Sequence, residues 1–159
     1  VPDSAGFAGY FGDGLITVGG KEEDLYREIL EEFEDGAQLA GKDPAGMPRL
    51  VELSVAYTGD EQAALDDKRK YWAGAAVPAL FNRKIYTPEE SAENGKVVGD
   101  NTFRKSMYIS ADPQEHVEYA RKYLEMGFNE LYFHCAGPDQ KAFLEGYGKE
   151  VLPELRSDS

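Results

Sequence analysis

Apolar positions along the chain follow two patterns in turn, stripes with a helical period and short unbroken runs. Residues 4–11, "SAGFAGYF", read as a short helix of small residues closed by Gly12-Asp13-Gly14, and Leu15 to Val18 as a buried strand. From Glu22 to Leu39 the residues Leu25, Ile29, Leu30 and Phe33 fall on one helical face. Glu22, Glu23 and Asp24 sit in its first turn, where carboxylates suit the positive end of the helix dipole. "RLVELSVAY" (49–57) is the longest strand run; only Glu52 and Ser54 interrupt it, the pattern of a parallel strand covered on both faces.

The rest of the chain repeats the alternation. Thr58-Gly59-Asp60-Glu61 has capping-box spacing and opens a helix through Leu65, Trp72 and Ala76, which Pro78 ends or bends. A polar insertion, 82–105, contains its own helix start in "TPEE", with Thr87 as cap, Pro88 at the first helical position and Glu90 closing the box. "MYIS" (107–110) is a strand that runs into a helix capped by Asp112, Pro113 and Glu115 and ended by Gly127. "ELYFH" (130–134) follows, then "CAGPDQ" and a last helix carrying Phe143, Leu144, Tyr147, Val151 and Leu152.

Strands separated by amphipathic helices predict an α/β fold of about four parallel strands alternating with helices. So few strands cannot close a barrel; they suit half of one, or a small open sheet. In either case the loops after the strands gather on one face, where ligands bind. "VGGK", "YTGD", "SADP" and "HCAGPD" are expected to share that face.

Composition narrows the field. The 159 residues suffice for one region with its own core, and an apolar share of 42% is ordinary. The charge is not: 17 Lys+Arg against 30 Asp+Glu leave −13. A surface this acidic repels phosphate backbones and anionic headgroups, so nucleic acid and membrane are not expected partners. No apolar run approaches the ~18 residues of a membrane span. Cys135 is the only cysteine, which excludes an internal disulfide and a cysteine-rich zinc site and fits a reducing cytoplasm. The chain opens on Val1 and not on Met, as a piece of a longer polypeptide would.

Few residues carry candidate chemistry. Lys21 follows two glycines where a strand meets a helix, so the turn is either a receptor for phosphate or carboxylate or a plain helix entry with a solvated lysine. His134 and Cys135 are adjacent on a strand and point to opposite faces, which disfavours a thiolate–imidazole pair. His116, between Glu115 and Glu118 on a helix, is expected in solvent. Glu52 is either a paired structural carboxylate or an acid/base group. Arg83, Lys84, Arg104 and Lys105 bracket the polar insertion, as an anion pocket or as scattered surface charge. Trp72 and the tyrosines read as helix-face core.

Three stretches together, "AGYFGDGLITVGGKEEDLY", "VELSVAY" and the run from Ser110 to Arg156, resemble the C-terminal half of the luciferase-like oxidoreductases, most specifically in the tail from Asp112 to Arg156. The resemblance is to the branch of dehydrogenases that act on glucose 6-phosphate with the deazaflavin coenzyme F420 (8-hydroxy-5-deazaflavin). It implies a (β/α)8 TIM barrel of which this chain is the C-terminal half, a cytoplasmic homodimer, and a missing N-terminal half-barrel that carries the catalytic His and Glu. It also implies hydride transfer between a substrate carbon and the coenzyme, with an anionic sugar-phosphate-like compound or an alcohol as substrate, and a fragment inactive alone.

The family's coenzyme-phosphate loop maps onto Val1, Asp3 and Ser4. Of its sugar-phosphate contacts, the first lysine is matched by Lys21, while Val18 stands at the threonine position. Asn82 stands at the insertion lysine, with Lys84 close by, and Ser106 at the arginine, preceded by Arg104 and Lys105. No catalytic residue and no metal ligand is expected here. Two other readings stay open: a flavin-dependent monooxygenase of the same superfamily, and a non-catalytic half-barrel interaction module.

Overall fold

In the computed structural model, which describes residues 2–73, 87–135 and 137–156, the first element is α1 (Pro2–Phe11). It begins earlier than expected because Pro2 has a preset φ and no amide to satisfy in a first turn. Its small residues serve contact with α2 (Glu23–Leu39). A Cβ on Gly9 would stand 2.0 Å from the Phe33 carbonyl oxygen, and one on Gly36 2.1 Å from that of Gly6. The two helices therefore touch backbone to backbone. Lys42 closes the C-terminal end of α1, its ammonium donating to the carbonyls of Gly9, Tyr10 and Gly12 at 3.2, 2.9 and 2.7 Å.

The chain divides into two compact units, Val1–Leu53 with Ala120–Tyr132 and Ser54–Tyr119 with Phe133–Ser159. In the first, β1 (Leu15–Val18) pairs in parallel with β2 (Arg49–Ala56), Leu15 opposite Arg49 and Val18 opposite Glu52. The expectation of a buried β1 holds for one face only. Leu15 is buried, but Ile16 and Val18 are 73% and 50% exposed, because among the described residues nothing covers their side. From α2 the residues Tyr26, Ile29, Leu30, Phe33 and Ala37 fill the core, and Leu25 stands at its edge. Tyr26 meets Tyr123 and Phe128 edge-on at 5.4 and 5.7 Å. β4 (Glu130–Cys135) pairs with β2. Asn129 locks its start: its amide donates to the Arg49 carbonyl at 3.1 Å and its Oδ1 accepts the Arg49 amide at 2.7 Å.

In the second unit the end of β2 pairs in parallel with β3 (Tyr108–Ile109), Val55 opposite Tyr108. Helix α3 (Glu61–Tyr71) is capped by Asp60, which accepts the Ala63 amide at 2.8 Å, and not by Thr58. The Thr58 hydroxyl is occupied by the backbone of Asp60 instead. Ala76 and Pro78 lie outside the described residues, and Trp72, expected in the core, is 39% exposed. The described part of the polar insertion carries two helices, α4 (Pro88–Gly95) and α5 (Asp100–Ser106), and Thr87 and Glu90 form the anticipated capping box. Arg69 ties both to α3. Its guanidinium lies 5.0 Å over the Phe103 ring, donates to the carbonyls of Gly95 and Val98, and pairs with Asp100. Phe103 joins Ala64, Leu65, Met107 and Ile109 in one core.

Helix α6 (Pro113–Met126) ends, as expected, at Gly127, which has a φ of +115°. The single last helix anticipated from the sequence is instead three pieces: α7 (Gln140–Gly146), a π-helical turn over Tyr147–Val151, and α8 (Leu152–Arg156). Pro153 has no amide for the usual helical bond and its ring crowds the preceding carbonyls; the wider turn relieves both. It directs Tyr147 and Val151 inward while Leu144 is left 66% exposed.

Candidate functional site

After Val18 the chain turns through Gly19, Gly20 and Lys21. Gly20 takes a φ of +81°, the value the third residue of a type II turn requires. The Gly19 amide donates to the Glu52 carbonyl at 2.7 Å, extending the ladder with β2. The Gly20 amide donates to the Tyr123 hydroxyl at 3.0 Å, and the Lys21 amide to the Tyr26 hydroxyl at 3.1 Å. The Tyr26 hydroxyl donates on to the Val18 carbonyl at 2.7 Å. All three turn amides are thus engaged within the protein, and none is left to cradle an anion.

Of the two readings open for this turn, the backbone matches the helix entry: the glycines shape the chain and their amides do not open to a ligand. What the corner offers is the exposed Lys21 ammonium. Beside it, Glu22 at the N-cap of α2 makes no side-chain bond to the first-turn amides; its carbonyl accepts the Leu25 amide at 3.2 Å, which leaves those of Glu23 and Asp24 at the helix start. A cation next to a helix start suits phosphate or carboxylate.

The other residues singled out in the sequence are placed as follows. Asp3 and Ser4 are exposed in the first turn of α1, and Ser4 borders a hollow of about 170 Å³ with Ala8, Leu15 and Thr17. The orphan amides of that turn and the Ser4 hydroxyl fit a phosphate; the Asp3 carboxylate contributes no donor. Val1, Asn82, Arg83 and Lys84 lie outside the described residues. Ser106 ends α5, and its hydroxyl donates to the Phe103 carbonyl at 2.9 Å. Arg104 pairs with Glu61 at 2.5 Å.

In the second unit the loops after β2 and β4 do meet. Tyr57, Thr58 and Gly59 line a cleft of about 300 Å³ with Asp67, Cys135 and Gly137. Burial holds the Asp67 carboxyl above its usual range, against the pull of Lys70 and with a further push from Asp66. Sequence reasoning missed Asp67, which stands in an ordinary charged run, "LDDKRK", without motif or spacing to mark it. Cys135 is buried at the cleft, and the His134 ring packs edge-on against Trp72 at 4.7 Å. The two side chains are used separately, as strand alternation requires.

His116 is not in solvent as expected but fully buried. Its Nε2 lies 3.0 Å from the Ser110 carbonyl and its Nδ1 2.6 Å from the Tyr147 hydroxyl. A carbonyl only accepts, so Nε2 carries the proton and Nδ1 accepts from Tyr147. The rings of Tyr57 and Tyr108 stand edge-on to the imidazole, both at 5.2 Å. Burial lowers the His116 pKa, opposed by the Ser110 bond and by Glu115 and Asp112, while burial raises that of Tyr147. The neutral imidazole thus holds the loop after β3 to the π-helical turn. Ser110 adds to that hold, donating to Glu115 at 2.6 Å and accepting the Asp112 amide at 3.0 Å.

Comparison with known proteins adds three findings. A sequence model of the family described as luciferase-like monooxygenase matches residues 1–130. An F420-dependent glucose-6-phosphate dehydrogenase of Microbacterium testaceum is 35% identical over 156 residues, covering 98% of this chain and 46% of that protein. One from Mycolicibacterium gilvum is 34% identical with the same coverage. The chain thus spans about half the length of these relatives. Among solved structures, an F420-dependent secondary alcohol dehydrogenase in complex with an F420–acetone adduct superposes with a TM-score of 0.78 at 29% identity. That match covers 98% of this chain and 46% of the other, in keeping with an α/β fold that forms half of a TIM barrel. A tetrahydromethanopterin reductase from Methanopyrus kandleri shares the fold, with a TM-score of 0.73 at 18% identity.

Proposed function

The chain belongs to the luciferase-like monooxygenase family, and from that premise we propose that it is the C-terminal half of an F420-dependent oxidoreductase. In this reading the whole protein moves a hydride between a substrate carbon and the coenzyme, and this half supplies part of two anion sites. The coenzyme's deazaflavin ring accepts or returns the hydride when bound. Ser4 and the first-turn amides of α1 hold its phosphate. Lys21 holds an anionic group of the substrate, such as the phosphate of a sugar phosphate. The acid/base groups lie in the preceding half of the barrel, so the 159 residues alone are inactive.

One observation supports this reading most directly: the similarity to F420-dependent dehydrogenases runs over 98% of the chain, in sequence and in three dimensions alike. The substrate is left broader than glucose 6-phosphate. Val18 brings a methyl where the family's threonine brings a hydroxyl, and the Ser106 hydroxyl is already committed to the Phe103 carbonyl.

The test is coenzyme choice in the full-length protein. F420 should bind tightly, FMN should not, and F420 should be reduced with an anionic alcohol such as glucose 6-phosphate or with a plain secondary alcohol. Tight FMN binding with oxygen consumption would instead identify a flavin monooxygenase.

A further inference from the structure

We infer that Tyr26 and Tyr123 are positioning residues for anion recognition, acting by fixing the backbone from which Lys21 reaches its ligand. The inference rests on the reading of Lys21 given above and adds to it the means by which that lysine is placed.

The geometry is that of a turn whose closing bond has been replaced. In a four-residue turn the first carbonyl ordinarily accepts the fourth amide, here Val18 and Lys21. Instead the Tyr26 hydroxyl stands between them, accepting the Lys21 amide at 3.1 Å and donating to the Val18 carbonyl at 2.7 Å. A phenol has one proton to give and lone pairs to receive, so both bonds are made by one oxygen. Burial raises the Tyr26 pKa, with Tyr123 adding to it, which keeps that proton in place. The Gly20 amide is taken by the Tyr123 hydroxyl at 3.0 Å. Lys21 is therefore fastened to α2 and α6, not merely closed upon its own turn.

The core does not need these hydroxyls. Tyr26 is fully buried and Tyr123 nearly so; the Tyr26 ring packs edge-on against Tyr123 and Phe128, and Tyr123 meets Phe128 at a tilt. Phenylalanine at either position keeps the same rings in the same core. The oxygen atoms are thus separable from the packing, and their bonds converge on the two residues that set where the Lys21 Cα stands. A lysine stem is long and flexible, so a fixed origin decides which ligand atoms its ammonium meets.

The experiment uses full-length protein with F420 in excess, so that inorganic phosphate reports the substrate-side anion site. Phosphate affinity, F420 affinity and amide exchange over residues 18–25 are measured for Tyr26→Phe, Tyr123→Phe and Lys21→Ala. Tyr26→Phe should speed exchange at Lys21 and weaken phosphate by about tenfold, with F420 affinity unchanged within about twofold. Tyr123→Phe should speed exchange at Gly20 and weaken phosphate in the same direction. Should Tyr26→Phe fail to fold, Tyr123→Phe carries the test. Faster exchange with unchanged phosphate affinity, while Lys21→Ala still weakens phosphate, overturns the positioning role and leaves Lys21 standing. Unchanged phosphate affinity in Lys21→Ala overturns the reading of Lys21, and the positioning role with it.

Discussion

His116 shows how a residue's sequence neighbours mislead when its helical neighbours decide. Glu115 and Glu118 flank it in the chain, yet Val117, Ala120 and Tyr123 share the buried side of α6, and that stripe was readable at helical spacing. Its partner Tyr147 lies 31 positions away, which no local pattern reports. The neutral state has a consequence for stability. The pKa of His116 is lowered in the folded protein from 6.5, so the unfolded chain takes up the proton first as the pH falls. Stability is therefore complete above about pH 6.5 and declines below it. Denaturation between pH 7.5 and 5 should show this decline, and His116→Gln, which cannot titrate, should flatten it. An unchanged slope in that variant would show that His116 is not the source of the decline. Tyr147→Phe should cost about 1–2 kcal/mol near neutrality, because it leaves a buried acceptor unpaired.

At the scale of elements, existence was easier to read than function. The alternation of runs and stripes located β1, α2, β2, α6 and β4 closely, because burial on one side imposes a period on the sequence. Caps were less certain: Thr58 and Asp60 are equally good cap types, and only the fold shows that Asp60 takes the Ala63 amide. The small residues of α1 announced a helix but not their purpose, which is the near-contact of two backbones at Gly9 and Gly36. Gly9→Ala tests this. A methyl there meets the Phe33 carbonyl oxygen at 2.0 Å and the Ala37 amide nitrogen at 2.8 Å, rigid atoms that cannot swing aside. The loss expected in urea denaturation is about 3 kcal/mol, the upper part of the range for overpacking. Gly46→Ala, with open space around its Cβ, should change little. Equal effects at the two sites would mean that α1 and α2 are not held by backbone contact.

At the scale of the whole molecule, the strand–helix alternation was legible, whereas the identification as half of a larger barrel came from family resemblance. The structure now supplies a physical counterpart. Phe7, Tyr10 and Phe11 form a cluster on α1, with ring centroids 4.5 and 4.6 Å apart, and are 65%, 45% and 67% exposed. Ile16 and Val18 of β1 are exposed as well. In a ring of helices around a barrel each helix has two neighbours, and among the described residues α1 packs chiefly on one, α2. On the proposed reading the preceding half of the barrel would cover this face, the relatives being about twice as long. Covering a large apolar side chain stabilises by roughly 1.5–3 kcal/mol. The 159 residues expressed alone should therefore self-associate through this face, restrained by a net charge of −13 on every copy. Salt shortens the reach of that repulsion to about 8 Å at physiological strength, so association should grow with added salt. Phe7→Ser with Phe11→Ser should reduce it, and co-expression with the preceding half should replace it by a one-to-one complex. Sedimentation decides the matter: a species of 17.6 kDa at all salt concentrations, indifferent to both substitutions and to the other half, would show that α1 needs no cover.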